Sequence, residues 1–171
     1  MGLLTFKGGI HPNDGKSLAK DKAIVEVLPE GDLVFPLSQH IGAPAAPIVK
    51  VGDQVLKGQK IAEAGGFVSA PVYSSVSGKV KAIAPYFTPT GGKVSSIIIE
   101  NDGTYTEAER LNTRSLDLIT KEEILNLISE AGIVGMGGAG FPTRVKLSPK
   151  EPEDPIFLLA HSPNKVGLAP L

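Results

Sequence analysis

The residues of this chain best suited to chemistry lie in one short stretch, Gly135-Met136-Gly137-Gly138-Ala139-Gly140-Phe141-Pro142-Thr143-Arg144-Val145-Lys146. Four glycines in six positions let the backbone turn so that successive amides face one point. Without side chains there, a planar or phosphorylated ligand can lie against the main chain. Thr143 is expected to cap a second short helix whose free amides meet the same anion, and Lys146 adds a full positive charge one turn in. The bland alternative is a flexible turn between helices. The loop is not a dinucleotide fingerprint, because a helical pattern instead of a strand leads into it. Nor is it a phosphate loop of the Gly-Lys-Ser/Thr kind, because no Ser or Thr follows a Gly-Lys pair.

Other candidates carry less. Arg144 reads first as an exposed helix arginine and only second as a phosphate contact. His11, His40 and His161 lack the i, i+4 spacing that builds metal sites, so structural hydrogen bonding is the default for His11 and His40. Glu151, Glu153 and Asp154, interleaved with Pro152 and Pro155, read as a solvated loop. No serine-histidine-acid set and no paired carboxylates stand out, so no residue is assigned a catalytic role. The chain has no cysteine, so it cannot itself hold a disulfide, a thiolate zinc or a cysteine-ligated iron-sulfur cluster.

The elements that must position the loop are legible around it. Thr120 with Glu123 three residues on has capping-box spacing, and Ile124, Leu125, Leu127, Ile128 and Ala131 then recur on one face. Gly132 supplies the stop, so a helix is expected over 121–131. Most of the 20 Gly and 14 Pro precede residue 100 and alternate there with short apolar runs. This pattern favours strands, expected at 23–28, 33–36, 48–49, 54–55, 60–63, 68–69, 72–74, 78–83 and 95–100. The polar stretch 104–115 is read as a linker. Among 171 residues, 17 Lys and Arg face 18 Asp and Glu, a formal net charge of −1 that offers no field for nucleic acid. No apolar run approaches the ~20 residues of a membrane helix, and residues 1–9 do not read as a signal peptide. The expected setting is cytoplasmic, with docking on a membrane complex left open.

Residues 41–83 contain Val51-Gly52-Asp53-Gln54-Val55-Leu56-Lys57-Gly58-Gln59-Lys60-Ile61 and Ala70-Pro71-Val72-Tyr73-Ser74-Ser75-Val76-Ser77-Gly78-Lys79-Val80. This resembles the biotinyl and lipoyl carrier fold, in which a hairpin tip presents the modified lysine. Here the tip reads Glu63-Ala64-Gly65-Gly66-Phe67-Val68-Ser69, with no lysine, while Lys60 and Lys79 flank the hairpin. The covalent-carrier reading loses its nucleophile, and a structural barrel-sandwich hybrid is expected instead. Its core would come from Val51, Val55, Ile61, Val68, Val76 and Val80, and its tight turns from Gly52, Gly58 and Gly78.

The glycine-rich stretch is similar to the flavin-mononucleotide loop of the NADH-binding flavoprotein subunit of respiratory complex I, with Met136 where that family has arginine. That Met, together with Thr5-Phe6-Lys7-Gly8-Gly9-Ile10-His11-Pro12 and Pro36-Leu37-Ser38-Gln39-His40-Ile41-Gly42-Ala43-Pro44, resembles the C subunit of the Rnf ion-translocating ferredoxin:NAD oxidoreductases over about residues 5–149. The resemblance implies an α+β chain. A β-rich barrel-sandwich hybrid with an N-terminal arm would span 1–103 and a linker 104–115, followed by the start of an α/β FMN-binding domain at 116–160 and an unmatched tail at 161–171.

It implies FMN held by Gly135, Gly137, Gly138, Ala139, Gly140, Thr143 and Lys146, with Phe141 stacking on NADH. Partners would be the other subunits of a membrane electron-transport complex, with this chain peripheral on its cytoplasmic face. The family's four-iron clusters are expected only in longer members, which carry the cysteines. The mismatch after residue 160 points to a truncation or a shifted reading frame, the frameshift preferred, with the tail expected to be disordered. The alternative is a non-catalytic assembly module that has lost cofactor binding.

Overall fold

The computed structural model describes residue 13 and residues 15–89, 91–109, 118–148, 157–162 and 165–170, the last two segments by their backbone pairing. The motif at 5–12 with His11, much of the linker and the acidic cluster at 151–154 lie outside the described residues.

The strands of the first hundred residues are β1 (Asp32–Pro36), β2 (Ala46–Pro47), β3 (Gln54–Val55), β4 (Lys60–Glu63), β5 (Val72–Tyr73), β6 (Gly78–Phe87) and β7 (Lys93–Asn101). They form two antiparallel sheets, ordered β1-β7-β6-β3 and β2-β4-β5. Side chains alternate across each strand, so the register decides what is inside. Leu33 pairs with Ile99 and Phe35 with Ile97, which sets these four on one face. On the other side of β7, Val80 opposes Ile99 while Ile83 opposes Ile97, four residues on one strand against three on the other. The bulge between Val80 and Ala82 absorbs the extra residue and returns Ile83 to the core face, where it packs partly buried. Ile61, Val55, Val76, Val80, Ile97 and Ile99 are almost wholly removed from water between the sheets.

Of the expected core, Val51 is 62% exposed. It stands in the turn that Asp53 closes by donating its amide to the Lys50 carbonyl, and buried Val49 takes the inward position instead. Val68 is only half-buried. The apolar run at 23–28 is not a strand: no sheet edge meets it, and Ile24 and Val27 stand exposed. Residues 48–49 and 68–69 are also outside the strands, displaced by β2 and by the hairpin tip.

The barrel's bonding continues past residue 103. Lys57 donates its amide to the Thr106 carbonyl and Ala108 donates to Lys57, while the Thr106 amide reaches buried Ser77 Oγ at 3.0 Å. Ser77 Oγ in turn donates to Asp102 Oδ1 at 2.7 Å. Donation from the Thr104 amide, then from the Ser77 hydroxyl, holds the Asp102 carboxyl below the usual carboxylate range. A depressed folded-state pKa stabilises above the unfolded value of about 4, and that contribution disappears as pH falls through the folded value. Asp102→Ala is therefore expected to lower the melting temperature at neutral pH. The gap to wild type should narrow on acidification below about pH 4, and a gap that stays constant from pH 7 to pH 3 in thermal melts would contradict this.

Downstream, α1 (Lys121–Glu130) begins at the expected capping box, with the Glu123 amide donating to Thr120 Oγ1 at 3.3 Å and the Thr120 amide to Glu123 Oε2 at 2.9 Å. A single turn, α2 (Thr143–Lys146), follows the glycine-rich loop. In the tail, β8 (Phe157–Ser162) pairs with β9 (Lys165–Pro170) as an antiparallel hairpin where disorder was expected.

Candidate functional site

The glycine-rich loop is built as a closed loop standing on the barrel. Its base is a bridge between Val134 and Pro142, where the Gly135 amide donates to the Phe141 carbonyl at 2.9 Å and the Thr143 amide to the Ile133 carbonyl at 3.0 Å. Above this base Gly137 and Gly138 face open space: a Cβ on either would meet nothing within 4 Å. Their amides make no hydrogen bond among the described residues. Gly135 has already donated its amide within the loop, so it is not a free donor.

Thr143 does not cap α2. Pro142 occupies the cap position, no side chain caps the turn, and the Thr143 amide is held by the base of the loop. Lys146 stands at the far end of the turn, exposed, with its ammonium 5.7 Å from the centre of the half-buried Phe141 ring, within cation–π range. The same ammonium would lie 3.2 Å from a Cβ on Gly135. Lys146 thus stands beside both the glycine-rich loop and the Phe141 ring. Arg144 is exposed, and among the described residues no group of three acidic, histidine or cysteine side chains is placed to hold a metal.

The loop is fixed to the barrel by contacts the sequence did not advertise. Ile41 donates its amide to the Ala139 carbonyl at 2.9 Å. Gly140, at φ 63°, lies so close to the barrel that a Cβ would stand 2.8 Å from the Gln39 carbonyl oxygen and 3.0 Å from His40 Cα. His40 is buried, its ring held between the Ile41 carbonyl oxygen, 3.1 Å from Nδ1, and the Ala70 backbone, whose amide nitrogen and carbonyl oxygen lie 3.0 Å and 3.1 Å from Nε2. An open cleft of about 570 Å³ separates residues 38–41 from the glycine-rich loop.

A second joint lies at the end of α1. Glu130 accepts from Lys60 Nζ at 2.5 Å, its carbonyl accepts from the Tyr73 hydroxyl, and Gly132 (φ 64°) packs on Pro71 and Tyr73. Burial alone would depress the Lys60 ammonium, but hydrogen bonds to Glu130 and Glu63 outweigh it and hold the group above the ordinary lysine range. A lysine so firmly protonated is a poor nucleophile.

The hairpin tip is equally unlike a swinging arm. Ala43 donates its amide to the Val68 carbonyl at 3.0 Å, and side chains on Gly42 or Gly65 would overlap the backbone oxygens of Val68 and Pro44. The two glycines let the tip fold down and lock.

Two small antiparallel sheets around one core, with a clamped hairpin tip and no tip lysine, define a structural barrel-sandwich hybrid, here bearing a docked glycine-rich loop. The chain belongs to the family described as the RnfC barrel sandwich hybrid domain, whose model matches residues 4–104. It is 50% identical over 149 residues to the C subunit of the proton-translocating ferredoxin:NAD(+) oxidoreductase complex of Clostridium ljungdahlii, covering 86% of this chain and 32% of that protein. It is 43% identical over 145 residues to the Na(+)-translocating counterpart of Acetobacterium woodii, covering 84% of this chain and 33% of that one. It is 42% identical over 144 residues to the C subunit of the ion-translocating oxidoreductase complex of Klebsiella pneumoniae, covering 83% and 19%. The chain thus spans a third or less of the length of these relatives.

Proposed function

We propose that this chain is the flavin-holding part of an electron-transfer subunit in a membrane-bound, ion-translocating ferredoxin:NAD oxidoreductase. The observation that carries the reading is the pair Gly137 and Gly138, with open space where side chains would stand and unbonded amides, on a loop beside the exposed Lys146. That cradle fits a phosphate: amides supply directional donors and the ammonium supplies charge. Lys146 has no ion-pair partner among the described residues, so an anion need not displace a carboxylate. FMN held there would exchange a hydride with NAD(H) and pass electrons on singly, the chemistry being the cofactor's. The chain's own task is to bind the phosphate, orient the ring and hold both against the barrel.

The names of the relatives support partners among the other subunits of such a complex. Among the described residues no helix is long and apolar enough to cross a membrane, which suits a peripheral place on the cytoplasmic face. Since this chain has no cysteine, cysteine-ligated clusters belong to other segments or subunits.

The test is a titration of the 171-residue chain with FMN, followed by flavin fluorescence. Lys146→Ala removes one charge-assisted phosphate contact and should weaken binding roughly tenfold or somewhat more. A folded chain indifferent to FMN would instead favour the assembly-module reading, to which the firm joint between α1 and the barrel lends some support.

A further inference from the structure

We infer that the barrel itself forms one wall of the flavin site. The isoalloxazine ring would lie between residues 38–41 and the glycine-rich loop, with the Ser38 and Gln39 side chains at its polar edge; this rests on the flavin reading above. Four observations converge on it.

The two segments are fastened together, by the Ile41 amide on the Ala139 carbonyl and by the close seat of Gly140 on Gln39 and His40, so they present one surface. The cleft between them is open to solvent and has a volume of about 570 Å³, so a planar ring can enter it without any rearrangement of the chain. No Lys, Arg, Asp or Glu lines it, whereas the cation of the site, Lys146, lies outside the cleft beside Gly135. A ligand with a charged end and an uncharged ring is thereby sorted: phosphate toward Lys146, ring in the cleft.

The wall also has the right chemistry for a ring whose edge alternates carbonyls and N–H groups. Ser38 and Gln39 are exposed, and their side chains make no hydrogen bond among the described residues. A hydroxyl and a primary amide offer both donors and acceptors. Ile41, 48% exposed, and Met136, 98% exposed, border the same cleft and offer apolar contact to the faces of the ring. In this arrangement the barrel domain positions the cofactor and is not a remote scaffold.

The experiment compares FMN with riboflavin, which lacks the phosphate, on wild type, Ser38→Ala/Gln39→Ala and Lys146→Ala. The double variant should weaken both flavins by about tenfold and shift the bound-flavin absorption band, without moving the melting temperature, because both side chains are exposed. Lys146→Ala should weaken FMN and leave riboflavin unchanged. A double variant that binds both flavins like wild type, while Lys146→Ala loses FMN, would place the ring elsewhere and overturn the inference alone. Wild-type protein that binds neither flavin would overturn the flavin reading, and the inference with it.

Discussion

Gly138→Val is expected to abolish FMN binding, by more than about a hundredfold or roughly 3 kcal/mol, while leaving the chain folded. The separation follows from the local geometry. A Cβ on Gly138 would meet no protein atom within 4 Å, and the residue's φ lies outside the left-handed region, so the substitution neither clashes nor strains the native loop. Replacing glycine at such a position even restricts the unfolded chain slightly. The space a valine would fill is the space assigned to the phosphate, and the branched side chain would shield the neighbouring amides. Calorimetric FMN titration alongside thermal melting checks both halves. A folded Gly138→Val protein with wild-type affinity would remove the glycine cradle from the site.

Local signals in the sequence reached the structure wherever a short-range rule was sufficient. The Thr120 and Glu123 pair forms the expected reciprocal cap, and Gly52 and Gly58 take the left-handed conformations their turns require. The barrel was legible because Val55, Ile61, Val76 and Val80 alternate with turn residues at the spacing of short paired strands, and all four are buried. Val51, expected in the core, instead points outward because it stands in the Lys50 to Asp53 turn. Residues 23–28 misled for a different reason. Alternation predicts a strand only if an edge is available to pair with it, and nothing local in a sequence reports that.

The candidate site divides in the same way. Glycine spacing with a following lysine marked the loop, since both are properties of one contiguous stretch. Thr143 as a cap failed because a tertiary contact, its amide on the Ile133 carbonyl, had already fixed the start of that turn. The second wall was written in the Pro36 to Pro44 motif, yet its role needed about a hundred residues of intervening chain to bring Gln39 and His40 under Gly140. Such long-range closeness has a signature only in retrospect: glycines at 42, 65 and 140 whose absent side chains are what allow two backbones to touch.

Gly140→Ala tests that last point and should damage stability and binding together. At φ 63° an alanine incurs about 1–2 kcal/mol of left-handed strain. Its Cβ would also stand 2.8 Å from the Gln39 carbonyl oxygen and 3.0 Å from His40 Cα, both backbone atoms that cannot rotate away. Overpacking of that kind typically costs a further 1–3 kcal/mol, so the sum is on the order of 2–5 kcal/mol. The core between the sheets does not include Gly140, and lifting the loop loses only the Ile41 to Ala139 bond and its neighbouring contacts. The cheaper response is therefore for the loop to lift from the barrel while the sheets stay folded. Hydrogen exchange should show the Ile41 amide losing protection while Ile97 and Ile99 keep theirs, and FMN affinity should fall along with the riboflavin affinity that the barrel wall supplies. Retained protection at Ile41 with normal flavin binding would mean that the loop tolerates a side chain against the barrel, and that the docked geometry does not govern the site.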